Sequence, residues 1–364
     1  MPLKHRYDRI LIGAVGIQVA VGLAAMGSAS WVIASQRYHR APAYFIQWQL
    51  MAVAAGLLFM VAAMHLRLRL LLRPATGWAA LGGAAALQLV AYLQPPVAHA
   101  HRWANLGIVS VQPSVLLRLA LIVLAAACLP RIADEGWLGR RALLLASSAV
   151  AATGLVLGAP DLGSAFVIAT VFAAMTFVAG APVRLLAVPT VVGLLVIVMA
   201  IALSPYRRAR VTAFLHPEAA WDGAAWQTRQ SLIALGSGGV VGRGYGAGLQ
   251  KLFFLPEPHT DFVFAIAGEE LGLRGGAVLI GLAAVIVWRG FRIAVALPQP
   301  SRALLAYGLT VAFALQALIH VGVCLGLLPP KGIPFPLVSY GKTEMVISLT
   351  AIGLLLNLSK EVRA

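Results

Sequence analysis

The sequence predicts an all-α polytopic membrane protein with about ten transmembrane helices and a large extracytoplasmic loop between the seventh and the eighth. Three observations predict it. The 364 residues are 60% hydrophobic and only 11% charged. Apolar runs recur from end to end, each near the ~20 residues that carry a helix across ~30 Å of hydrocarbon. Basic residues gather in alternate connections between the runs, as expected of a chain that crosses a membrane repeatedly. This composition excludes a soluble domain.

The runs fall, in order, at 8–34, 43–64, 74–93, 113–130, 142–158, 161–180, 183–204, 262–288, 303–328 and 337–358. The first follows the lead Met1–Arg9. It is too long for the apolar core of a signal peptide and lacks a small-residue cleavage site, so the chain is expected to insert by its own helices. The fifth, at 142–158, is short with soft boundaries. Asp161, after Pro160, opens the sixth. Pro256 and Pro258 bar a helix through the approach to the eighth.

Orientation follows from the basic residues. With the N-terminus inside, the cytoplasmic segments collect Lys4, Arg6, Arg9, Arg67, Arg69, Arg73, Arg131, Arg140, Arg141, Arg184, Arg289, Arg292, Arg302, Lys360 and Arg363. The short outer segments hold only Arg37, Arg40, Arg102, Lys331 and Lys342. An even number of spans returns the C-terminus to the cytoplasm. The net charge of +16 then reads as topology and attraction to anionic membrane lipids, with no nucleic-acid partner expected. Cys128 and Cys324 fall inside spans and read as buried thiols. No CxxC, HExxH or His-rich cluster suggests a built-in metal site.

Residues 1–364 are expected to form a single integral membrane domain. Two outer segments interrupt the rhythm. Residues 94–112 are amphipathic and carry Arg102 and Trp103, as suits a stretch at the membrane interface. Residues 205–261 form the one long polar insertion, with Trp221, Trp226 and the glycine-dense GSGGVVGRGYGAG at 236–248. The glycine stretch lacks the GK[ST] ending of a phosphate loop and no strand precedes it, so it reads as a turn or a close backbone approach.

Chemistry is sought among the acidic residues, because the chain has 12 of them and four lie at 257–270. A carboxylate at the edge of hydrocarbon is costly unless paired, hydrated or protonated. Asp261 sits where the polar loop meets the apolar run FVFAIAG. Either Thr260 or Asp261 N-caps the eighth span, or Asp261 is a general base at the outer surface beside His259; the two roles are compatible. Glu269 and Glu270 lie about 12–14 Å further along that helix. Either Glu270 forms a structural ion pair with Arg274, four residues on, or the two glutamates line a polar cavity. Asp161 reads as a helix N-cap or as a second carboxylate of the same outward cavity. Arg118 and Glu344 lie about one turn inside the fourth and tenth spans, at matching depths, and are expected to pair across the bundle.

Five segments, in this order, resemble the SEDS family (shape, elongation, division and sporulation; RodA/FtsW/SpoVE). They are HRWANLGIVSVQPS at 101–114, PDLGSA at 160–165, QSLIALGSGG at 230–239, LPEPHTDFVFAIAGEELG at 255–272 and GLLPPKGIPFPLVSYG at 326–341. The wording of QKLFFLPEPHTDF and PPKGIPFPLVSYG leans towards the division branch. The resemblance implies a peptidoglycan glycosyltransferase that polymerises lipid II into β-1,4-linked strands on the outer face of the bacterial cytoplasmic membrane. Asp261 falls on the family's essential aspartate. The motifs nominate Arg102, Trp103, Gln112, Ser114, Asp161, Glu257, His259, Thr260, Ser339 and Tyr340 for the substrate site, and Arg118 and Glu344, which lie outside the motifs, join them as costly charges at matching depths. Arg102, Arg243, Lys251 and Lys331 are the outer cations to test against the departing pyrophosphate. No cofactor is expected to be built in, while Mg or Mn is compatible with that chemistry. A class B penicillin-binding protein transpeptidase is the implied partner.

The sequence departs from the family at two places. After QPS the family has Glu and, three residues on, Lys; here these are Val115 and Arg118. SYGGSS reads SYGKTE, which puts Lys342, Thr343 and Glu344 where small residues are usual. One carboxylate is lost from the fourth span and one gained in the tenth, as a relocated ion pair would require. Two other functions are weighed: a lipid II transporter, which would place its decisive charges near the midplane, and a catalytically weak scaffold, which would tolerate loss of Asp261.

Overall fold

The computed structural model describes residues 7–96, 100–107, 109–215 and 224–362. Lys4, Arg6, Trp221 and Arg363, used above, lie outside the described residues. Helices α1 (Arg9–Gln36), α2 (Tyr44–His65), the single turn α3 (Leu68–Leu71) and α4 (Pro74–Tyr92) lead to a short antiparallel hairpin, β1 (Ala104–Asn105) and β2 (Ser110–Val111). Then follow α5 (Pro113–Glu135), α6 (Arg140–Gly158), α7 (Leu162–Val178) and α8 (Val183–Ala202). The last are α9 (Pro205–Leu215), α10 (Ala224–Gly238), α11 (Val263–Ala296), α12 (Pro300–Cys324) and α13 (Lys342–Ser359).

Each of the ten apolar runs is a helix: α1, α2, α4 to α8 and α11 to α13. Among the described residues, seven of these are both long and apolar enough to cross a membrane: α1, α2, α5, α6, α11, α12 and α13. The chain is therefore a multi-pass membrane protein. Helices α5 and α12 form the centre, buried along most of their length against α7 and against one another. The outer helices keep large apolar side chains on the surface, such as Leu58, Val150 and Val188, as lipid-facing positions require.

Lipid tails are as apolar as the side chains they replace, so close packing rather than water exclusion holds the helices together. Small residues make the closest approaches. On the α2–α13 seam, a Cβ at Gly353 would lie 2.4 Å from Met60 O, and one at Gly56 would lie 2.6 Å from Leu349 Cδ1. Polar contacts fasten one end of the bundle. Arg289 Nη2 lies 2.6 Å from Asp8 Oδ2, and Asp8 N donates to Ser359 Oγ at 3.2 Å. The start of α1 and the end of α13 thus share one face, as an even number of spans demands.

The described residues of the insertion at 205–261 include helices as well as loop. The helices are α9 and α10, and α10 packs along the first part of α11. Helix α11 is broken at Gly272, whose φ of 68° and ψ of −165° leave the helical region. The break frees carbonyls and N–H groups, and the glycine-rich segment takes them up. Arg243 N donates to Glu269 O and Gly244 N to Glu270 O, both at 3.0 Å, while Leu273 N donates to Gly239 O at 2.9 Å. Every backbone group at this depth must find a protein partner, and this folded-back segment supplies one. The tenth helix also starts later than its apolar run. Residues 337–341 form a loop before α13, with Leu337 at φ 65°.

Candidate active site

Asp261 ends the segment that two prolines keep out of helical conformation. Thr260 Oγ1 donates to Glu257 O at 3.1 Å, and α11 begins two residues beyond Asp261 with Phe262 as its N-cap. The cap makes no side-chain hydrogen bond. Neither Thr260 nor Asp261 is therefore the cap. Instead Asp261 borders a cavity of about 210 Å³ at the end of the bundle opposite Asp8 and Ser359.

The cavity gathers residues from most of the chain. The hairpin region contributes Arg102, Trp103 and Gln112, α5 contributes Arg118, and Thr260 and Asp261 precede α11. Tyr340 and Glu344 close it from the start of α13. These eight were nominated from the sequence. Ser164, Gln316, Gly332, Ile333 and Pro334 line it as well and were not. Gln316 had a readable signal, since it is a lone amide in the apolar run ALQALIH.

Arg118 and Glu344 pair across the bundle. Arg118 Nη2 donates to Glu344 Oε1 at 2.7 Å, with side-chain exposures of 10% and 6%. Gln316 Nε2 and Ser348 Oγ donate to the same oxygen at 3.1 and 3.2 Å. Two buried charges repay their desolvation only when further hydrogen bonds accompany the pair, and here two do. The neighbouring substitutions are anchored too. Lys342 Nζ lies 4.6 Å from the Trp48 ring centroid, and Thr343 Oγ1 accepts from Gln112 N at 3.1 Å. Lys342, Thr343 and Glu344 thus tie α13 to α2, to the hairpin exit and to α5.

Asp161 caps α7. Its side chain accepts from Ser164 N at 3.2 Å and from Ser164 Oγ at 2.7 Å, and it is buried behind the lining residue Ser164. Arg102 Nη2 donates to Pro160 O at 2.8 Å, which holds the hairpin region against this turn. Ser114 is buried in the first turn of α5. Lys331 precedes the lining residue Gly332 on the connection into α13.

Three nominated residues, Glu257, His259 and Ser339, are close in sequence to lining residues but do not line the cavity. Glu257 meets Arg37 Nη1 at 3.3 Å and accepts from Tyr38 OH at 3.1 Å. Partial burial and then the Glu257 charge raise the Tyr38 hydroxyl above its ordinary value. His259 is 1% exposed, with its ring 4.4 Å from that of Phe45 and 5.5 Å from that of Tyr340. Burial, and secondly Arg37, push its imidazole down to about 4. A neutral ring makes no ion pair with Glu257 across the 3.8 Å between them. His259 O accepts from Tyr340 N at 2.9 Å, and Ser339 Oγ accepts from Phe335 N at 2.9 Å, so both residues set the loop before α13.

Four nominated residues lie elsewhere. Glu270 pairs with Lys251 at 2.6 Å, not with Arg274, which is exposed. The Gly272 break falls between Glu270 and Arg274 and abolishes the helical spacing that would join them. Lys251 is buried, and its Nζ also donates to Ser28 Oγ at 2.8 Å and Gly246 O at 2.7 Å, so it is not an outer cation facing the cavity. Arg243 Nη1 reaches Glu269 Oε1 at 3.4 Å, and Leu249 N donates to the same carboxylate at 2.8 Å. Glu269 and Glu270 therefore clasp the glycine-rich segment onto α11.

This arrangement defines a class: a multi-pass membrane protein with an aspartate, just ahead of a helix, on the wall of a partly open cavity of mixed polar and apolar lining that two arginines share. Comparison gives the family. The model of the cell cycle proteins FtsW, RodA and SpoVE matches residues 8–364. A probable peptidoglycan glycosyltransferase FtsW of Trichlorobacter lovleyi is 36% identical, covering 97% of this chain and 93% of the relative. One of Thiomicrospira cyclica is 38% identical, covering 98% and 92%. Among solved structures, a chain of a peptidoglycan synthase complex that coordinates polymerization and crosslinking superposes with a TM-score of 0.78 at 29% identity, over 97% of both chains. Thermus thermophilus rod shape determining protein RodA superposes with a TM-score of 0.70 at 28% identity, over 98% of both. The chain belongs to the SEDS family of cell cycle proteins, in its FtsW branch.

Proposed function

We propose that this chain, a peptidoglycan glycosyltransferase, extends glycan strands from lipid II in the cavity beside Asp261. The observation that carries the reading is the position of that carboxylate: just ahead of the helix and on the wall of a cavity that Arg102 and Arg118 also line. Asp261 takes the proton of the acceptor sugar's C4 hydroxyl as the oxygen forms a bond to the donor's anomeric carbon. The bond from that carbon to the pyrophosphate oxygen breaks, and the electron pair leaves with undecaprenyl pyrophosphate. Backside attack on an α-linked donor gives the β-1,4 link.

Arg102 is the cation best suited to the pyrophosphate, because Glu344 already offsets the charge of Arg118. A volume of about 210 Å³ is below the ~300–1,000 Å³ of pockets that enclose a whole drug-sized ligand. The cavity therefore takes the reacting sugar ends, and the prenyl chain stays in lipid. Among the described residues no group of three His, Cys, Asp or Glu could hold a metal ion. A Mg or Mn ion would arrive on the pyrophosphate, with Asp261 the cavity carboxylate able to add a ligand.

In this reading the Asp261 end of the bundle faces outward across the bacterial cytoplasmic membrane and both termini are cytoplasmic, as the basic residues Arg289, Arg302 and Lys360 at the other end favour. The whole chain acts as one domain. A class B penicillin-binding protein is its partner, by analogy with the synthase complex it resembles. The test is direct. Purified protein, with such a partner where required, is given labelled lipid II and the products are resolved on a gel. Glycan ladders from the wild type and none from Asp261→Asn support the enzyme. Undiminished polymer from the variant, or none under any condition, removes it, since a scaffold or transporter has no need of Asp261.

A further inference from the structure

We infer that His320 and Gly332 are positioning residues for Asp261, an assignment that rests on Asp261 being the base. The Asp261 carboxylate lies against the Gly332 backbone. A Cβ built on Gly332 would come within 3.1 Å of Oδ2 and 3.2 Å of Oδ1, tighter than ordinary van der Waals contact for both oxygens. Only glycine, which has no Cβ, lets the backbone lie this close to the carboxylate.

His320 holds the strap on which Gly332 sits. Its Nδ1 lies 2.9 Å from Ile333 O, so the ring proton is on Nδ1 and is donated to the carbonyl next to Gly332. The ring is buried and stacks on Phe335 with centroids 5.5 Å apart. From the other side the strap meets α7, where a Cβ at Gly163 would lie 2.9 Å from Ile333 Cγ1. Four residues after His320, on the same face of α12, Cys324 Sγ lies 3.9 Å from Asp261 O. The last turn of α12 therefore carries both the backbone of the base and the strap beneath its carboxylate. A buried imidazole in a membrane helix costs more than a leucine or phenylalanine would. The bond to Ile333 O offsets part of that cost, while Nε2 stays buried without a hydrogen-bond partner.

Proton transfer needs donor and acceptor within ~2.6–3.2 Å, and a misplacement of ~1 Å can cost ~100-fold in rate. The full chain is assayed for lipid II polymerisation as Asp261→Asn, Gly332→Ala, His320→Phe and His320→Asn, with each variant's thermal midpoint recorded. Gly332→Ala is expected to lower kcat by about tenfold or more while KM stays within about twofold. It should also move the acid limb of the kcat profile to higher pH, because a methyl group displaces water from the carboxylate and disfavours its charged form. His320→Phe is expected to lose a similar factor, and His320→Asn, which keeps a donor, to recover most of it. The inference is overturned by folded Gly332→Ala with unchanged kcat and acid limb, or by equal losses in the two His320 variants. Variants that all fail to fold also overturn it, because a positioning role predicts loss of rate before loss of fold. Full activity in Asp261→Asn is a separate result, and it would sink the reading of the base itself.

Discussion

Arg118 on α5 and Glu344 on α13 are 226 positions apart in the chain and 2.7 Å apart in the fold, joined inside the wall of the cavity that holds Asp261. Each would be a buried charge without the other. Leaving one uncompensated typically costs about 3–5 kcal/mol. Glu344→Gln and Arg118→Met are therefore expected to lower the thermal midpoint in detergent and to depress polymerisation. The exchanged pair, Arg118→Glu with Glu344→Arg, should recover much of both. An exchange no better than the single reversals would show that the contact is incidental.

The Lys251–Glu270 pair makes a parallel prediction away from the cavity. Lys251→Met strands a carboxylate that is 2% exposed, with Ser28 Oγ and Gly246 N as its remaining donors. A loss of about 3–5 kcal/mol is again expected. The double variant Lys251→Met with Glu270→Leu, which removes both charges, should fall well short of that loss. Equal midpoints for wild type and Lys251→Met would refute the clasp.

His259 gives stability a pH dependence. Its imidazole falls from 6.5 to about 4 on folding, so between those values the unfolded chain binds a proton that the folded chain does not. The contribution is intact above about 6.5 and is lost as pH falls towards 4, up to about 3 kcal/mol at ~1.36 kcal/mol per pH unit. Midpoints measured from pH 7 to pH 4 should fall less steeply in His259→Phe than in the wild type. Parallel curves would contradict the burial argument.

Much of this could be read from the chain because lipid imposes strong rules. Ten apolar runs gave ten helices, since a backbone in hydrocarbon has few alternatives. Asp261 was legible as the one of four clustered carboxylates that sits where the proline-barred approach meets an apolar run, and Arg118 with Glu344 as two costly charges at matching depth. Glu270 was legible as paired but not with whom. Its partner Lys251 arrives through a segment that folds back on α11, and the break at Gly272 cancels the helical spacing to Arg274. Lys251 looked like an exposed cation for the same reason. Helices α9 and α10 were hidden in a polar stretch whose helices have no membrane length to announce them. Gly332 and His320 gave no local signal, because their roles exist only once the α12–α13 connection folds over Asp261.

The central claim is that Asp261 removes the acceptor proton. The most direct measurement is the polymerisation rate constant of Asp261→Asn, with its lipid II affinity determined in parallel. A general base contributes about 10²–10⁴-fold, and asparagine keeps the size of the side chain while losing the base. The expected result is lipid II binding within about twofold of wild type and a polymerisation rate at least ~100-fold lower. A variant that binds lipid II normally and polymerises it at the wild-type rate would contradict the claim.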